Sequence, residues 1–103
     1  MKQLNVVGVD LAKNTIQAAV VSPTNKELQN RGFTRKKFAE FLAKQKSALV
    51  AFEACATAHH WARVAERHGH EVKILPARAV APFRQGHKTD SNGALAVAEA
   101  VLG

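Results

Sequence analysis

Apolar positions follow two rhythms along this chain, and each predicts a different element. In the stretch Asn5-Val-Val-Gly-Val-Asp10-Leu-Ala-Lys13 the rhythm is two, and its valines favour a strand. Val7, Val9 and Leu11 then share one face, while Val6, Gly8 and Asp10 share the other. A second apolar run over residues 15–21 follows a tight turn at Lys13-Asn14, which predicts an antiparallel hairpin. Ser22-Pro-Thr-Asn25 is a cluster of turn formers. The more polar segment 26–33 reads as an edge strand whose Lys and Arg discourage further pairing.

The rhythm then lengthens. Thr34 stands where a helix N-cap belongs, and Phe38, Phe41 and Leu42 recur at helical spacing over 36–46. Residues 48–53 form a continuous apolar run ending in Glu53, the mark of a buried strand. A second helix is expected over 58–68, with Thr57 as N-cap and Gly69 just past its end. In it His60, Val64 and His68 recur once per turn and read as a packing stripe, and Trp61 as core or interface. Glu71–Leu75 is a short strand stopped by Pro76, residues 77–83 a short helix, and 84–88 a basic, flexible loop. Thr89 would cap a last, Ala-rich helix over 90–102. Three meandering strands followed by helix–strand alternation predict an α/β fold. Its mixed sheet is parallel after the hairpins, with right-handed crossovers and helices on its faces.

Composition narrows the class. With 103 residues and 47% hydrophobic content, the chain suits one folded domain over 1–103. No apolar run approaches the roughly 20 residues of a membrane helix, and no apolar signal precedes the first strand, so a cytoplasmic protein with no membrane partner is expected. The single Cys55 agrees with a reducing compartment, and together with His59 and His60 it lacks a fourth ligand for zinc. Fifteen Lys and Arg against eight Asp and Glu give a net charge of +7, which points to a polyanion such as nucleic acid.

The acids carry the candidate chemistry. An Asp inside a buried strand is costly unless something pairs with it. Gly8, two residues earlier on the same face, leaves room for a metal ion, a phosphate or another backbone. A plain turn cap is the structural alternative for Asp10. If the crossover strand lies beside the first strand, Asp10 and Glu53 adjoin, and two such carboxylates repel unless a cation sits between them. Oxygen ligands of this kind suit Mg or Mn ions. Asp90, opening the last helix, either completes the cluster or complements the helix dipole. Lys13, Arg84, His87 and Lys88 are the candidate contacts to a nucleic-acid backbone, against a plain solvated surface.

These residues match a family. The Val-Gly-Val-Asp10-Leu-Ala-Lys13 stretch, Glu53-Ala-Cys with Ala-His-His-Trp-Ala-Arg63, Gly69-His-Glu-Val-Lys73, and Lys88-Thr-Asp90 with the Ala-rich run to Glu99 resemble the N-terminal domain of DEDD-type insertion-sequence transposases, the Piv-like DNA recombinases. The resemblance covers nearly the whole chain. It implies a RuvC-like, ribonuclease-H-like fold and metal-dependent phosphodiester chemistry in DNA transposition. It also implies that Asp10, Glu53 and Asp90 are the first three acids of a metal-binding tetrad. As partners it implies DNA, a structured guide RNA in part of the family, and a homo-oligomer in the full-length context.

The chain departs from that pattern twice. The fourth acid of the family lies three residues after the third, and here that position is Gly93. Neither Asn92 nor Glu99 substitutes, since on a helix they point about 200° and 180° away from Asp90. The family's coiled coil and C-terminal serine domain are also missing after Gly103, so an isolated or truncated N-terminal domain, inactive alone, is expected. Two further readings stay open. One is a non-catalytic nucleic-acid-binding remnant of the same fold. The other is an actin-like or sugar-kinase-like ATP-binding lobe, although Asp10-Leu-Ala12 lacks the Gly that would let a phosphate approach.

Overall fold

The valines of period two build the centre of a sheet. The computed structural model describes residues 4–12, 14–84 and 91–103. Its five strands are β1 (Val6–Leu11), β2 (Ile16–Val21), β3 (Glu27–Phe33), β4 (Leu49–Glu53) and β5 (Glu71–Leu75), in the spatial order β3-β2-β1-β4-β5. The meander β1-β2-β3 is antiparallel, and β4 joins β1 in parallel, as does β5 to β4. This α/β architecture agrees with a ribonuclease-H-like fold, and β4 lies beside β1 as the crossover rule predicts. The Ser22–Asn25 turn closes on a hydrogen bond from Asn25 N to Ser22 O, with Asn25 in the left-handed region at φ 66°.

Helices cover both faces. On one lie α1 (Arg35–Lys44) and α2 (Ala58–Arg67), packed over Val7, Val9, Val50 and Phe52 through Phe38, Leu42, Trp61, Ala62 and Ala65. On the other lie α3 (Ala77–Arg84) and α4 (Ser91–Leu102), packed over Val6, Val21, Ala51 and Leu75 through Val80, Val97 and Ala98. Thr34 caps α1 as expected, its hydroxyl accepting from Lys37 N at 3.2 Å. Thr57 occupies the N-cap of α2 without a side-chain cap bond, because its backbone (φ −102°, ψ 0°) is not the extended form that aims the hydroxyl at the first turn. Gly69 follows α2 with φ +85°, a conformation that needs glycine.

The expected stripe of His60, Val64 and His68 is corrected. Both histidines are exposed, and the buried face of α2 is Ala58, Trp61, Ala62 and Ala65. Trp61 belongs to the core, meeting Phe38 edge-on with ring centres 5.0 Å apart.

Among the described residues the buried histidine is His70, which had no distinct signal in the sequence. Ala48 N donates to its Nδ1 at 3.2 Å, so Nε2 carries the proton and donates to Leu42 O at 2.7 Å. One imidazole thus ties the end of α1 to the start of β4. His70→Ala leaves two buried backbone groups unpaired, which costs about 2–4 kcal/mol at the usual penalty per group. The expected result is a thermal midpoint lower by roughly 10 °C or more. A shift within about 2 °C would show that water replaces both bonds.

Candidate functional site

The parallel register of β1 and β4 sets the site. Val9 is level with Phe52, so the next residues, Asp10 and Glu53, fall side by side near adjacent strand ends. Side chains alternate, and Glu53 is level with Leu75, which packs against Val80 and Val97. Asp10 and Glu53 therefore both face the layer of α3 and α4. Both are half-buried.

Helix α4 comes unusually close to this face, and Gly8 is the reason. A Cβ at Gly8 would stand 2.5 Å from Ala98 N and 2.8 Å from Ala98 Cβ, and would overlap the carbonyl oxygen of Ala94. Of the three occupants considered for the space above Gly8, the structure shows another backbone. That close approach carries the first turn of α4 down to the strand ends. Gly93 there lies against Asp10: a Cβ at 93 would overlap Asp10 Oδ2 and stand 3.1 Å from Asp10 Cγ.

Arg84 departs from the expected loop. It is the last residue of α3, and its Nη2 donates to Glu53 Oε1 in an ion pair. Its Nη1 would be 3.0 Å from a Cβ at Gly93. One guanidinium thus reaches from Glu53 to the neighbourhood of Asp10. The cause is the extension of α3 through Arg84, which turns this side chain inward over the sheet end. Asp90, Lys13, His87 and Lys88 lie outside the described residues. Among the described residues, no group of three or more His, Cys, Asp or Glu side chains is gathered where a metal could be held. Asp10 and Glu53 supply hard oxygen donors at one place, a donor set that fits Mg or Mn ions.

A second surface was not singled out from the sequence. A groove between β3 and α1 is lined by Arg31, Lys37, Lys44, Phe33 and Phe41, and also by Glu40, which pairs with Lys37 at 3.7 Å. Arg31 lies over the Phe33 ring, 5.0 Å from its centre. The signal was Arg31 with Lys37 and Lys44, which read as ordinary polar strand and helix positions until the groove is seen.

The model of the DEDD_Tnp_IS110 family, described as Transposase, matches residues 7–103. The chain belongs to this transposase family. Among its relatives, the transposase for insertion sequence element IS1328 of Yersinia enterocolitica is 34% identical over 97% of this chain and 30% of its own length. The transposase for insertion sequence element IS1111A of Coxiella burnetii (strain RSA 493 / Nine Mile phase I) is 32% identical over 97% of this chain and 28% of its own. The chain thus spans less than a third of the curated relatives it matches. A solved structure described as a ROK family protein from Streptococcus pneumoniae TIGR4 in complex with sucrose superposes with a TM-score of 0.52. That match covers 79% of this chain and 37% of the other at 11% identity, a likeness of fold alone. No helix among the described residues of this transposase domain is long and apolar enough to cross a membrane.

Proposed function

We propose that this transposase domain binds a divalent metal and acts on DNA strands or junctions. The observation that carries the reading is the adjacency of Asp10 and Glu53 at the ends of β1 and β4, facing α3 and α4. Asp10 and Glu53 would hold Mg or Mn ions, with Asp90 as the third carboxylate by family resemblance. When bound, such an ion supplies Lewis-acid polarisation of a phosphodiester and activates water. The chain supplies the rest. Helix α4, seated on Gly8, walls the site on one side. The basic groove of Arg31, Lys37 and Lys44 suits backbone phosphates, and the overall charge of +7 favours a nucleic-acid partner. A structured guide RNA and a homo-oligomer belong to the same reading through the family resemblance alone.

A second reading has its own support. Gly93 supplies no fourth carboxylate, and Arg84 already neutralises Glu53. Both favour a domain that binds nucleic acid without performing the reaction.

Manganese titration by calorimetry and DNA binding at several salt concentrations separate the two. The metal-binding reading expects saturable Mn binding that weakens about tenfold or more in Asp10→Asn and in Glu53→Gln, because hard cations depend on ligand charge. DNA affinity should fall with salt, with a slope of about −0.9 for each phosphate neutralised on a duplex. Salt-sensitive DNA binding with no Mn binding would favour the non-catalytic domain. Absence of DNA binding at low salt would remove both.

A further inference from the structure

We propose that Arg84 is a tethered counter-cation of the Asp10–Glu53 carboxylate pair, placed where it competes with an incoming divalent ion. The inference rests on the reading of that pair as the metal site. Two carboxylates at adjacent strand ends repel each other, and the fold still brings them together. Arg84 offsets part of that repulsion: Nη2 is bonded to Glu53, and the same guanidinium reaches the Gly93 neighbourhood against which Asp10 packs. A guanidinium suits this task. It stays charged, and its planar fork of donors can serve two acceptors at once.

Gly93 is part of the arrangement. A side chain there would press on Nη1, at 3.0 Å from its Cβ, and on the Asp10 carboxylate. The position of the missing fourth acid therefore adjoins the arginine. The arginine can also leave. Its side chain is 37% exposed and that of Glu53 25% exposed, so the pair is weak enough to be displaced. A divalent ion must displace a positive charge to reach Glu53, and its apparent affinity is lowered accordingly.

The test uses the 103-residue chain, MnCl2 as the probe, calorimetric titration, and melting in chelator and in manganese. Arg84→Gln removes the charge, and Arg84→Met removes it while keeping the aliphatic stem, should the Gln variant fold poorly. Both are expected to bind Mn about fivefold more tightly than the unaltered chain, the factor set by a partly exposed ion pair. In chelator both should melt about 3 °C lower, with Mn restoring the midpoint. Asp10→Asn is measured beside them. Mn binding weakened about tenfold or more in Asp10→Asn but unchanged or weaker in the arginine variants overturns the role of Arg84 and leaves the metal site standing. Mn binding that is unweakened in Asp10→Asn, or is absent from every variant, overturns the site and the inference with it.

Discussion

Gly8→Ala is expected to remove a large part of this domain's stability, about 3 kcal/mol or more. The added Cβ meets helix backbone: Ala98 N at 2.5 Å, and the carbonyl oxygen of Ala94 closer still. These atoms are fixed by the hydrogen bonds of α4 and cannot swing aside as a side-chain tip can. The helix would have to lift from β1. Ala98, with Val6 and Val21 beneath it, would then lose contact, as would Val97 over Ala51. Overpacking a well-filled core costs about 1–3 kcal/mol, and against immovable backbone the upper end applies. Alanine's lower chain entropy in the unfolded state returns at most about 1 kcal/mol, too little to change the sign. For a domain near 100 residues the thermal midpoint should fall by roughly 12 °C or more. A fall under about 3 °C would mean that α4 rides up freely and that the close approach is not needed.

Gly93→Asp should act in the opposite direction, and chiefly when metal is present. The new side chain starts against Asp10 and beside Arg84, so the Asp10 carboxylate must rotate to admit it. The atoms to be moved are the ends of side chains, which makes the change affordable where Gly8→Ala is not. The new carboxylate joins Asp10 and Glu53, and the added ligand should lower the Mn dissociation constant about tenfold, close to 1.4 kcal/mol. Binding to the folded state alone converts this into an extra rise of roughly 5–10 °C in saturating Mn. In chelator the same substitution should be neutral or destabilising, since Arg84 offsets part of the new repulsion and no more. Equal Mn affinity with and without the substitution would show that position 93 does not address the metal.

Much of the fold could be read from local pattern. Alternating valines announced β1, the polar stretch announced an edge strand at β3, and Thr34 announced the cap of α1. The adjacency of β4 to β1 followed from connection rules, because a crossover after a meander has few places to go. What stayed hidden depended on partners distant in sequence. His70 is buried because residues 22 and 28 positions away supply its hydrogen bonds, which no periodicity reports. Arg84 looked like a loop cation because its partner, Glu53, lies 31 positions earlier. Gly8 could be recognised as making room, but a glycine does not say what fills the room. At α2 the apolar and polar positions are interleaved with small alanines, so His60 and His68 imitated a stripe that the alanines in fact provide.

The strand order has one more consequence. From β1 the chain turns within the sheet to β2, while from β4 it rises onto the outer layer as α2 before returning at β5. The two neighbouring strands thus send their continuations apart, which makes the Asp10–Glu53 end of the sheet a topological switch point. Winding alone sets that point, before any side chain is chosen. Substitutions at Asp10, Glu53, Arg84 or Gly93 can change the chemistry presented there, but they do not move it.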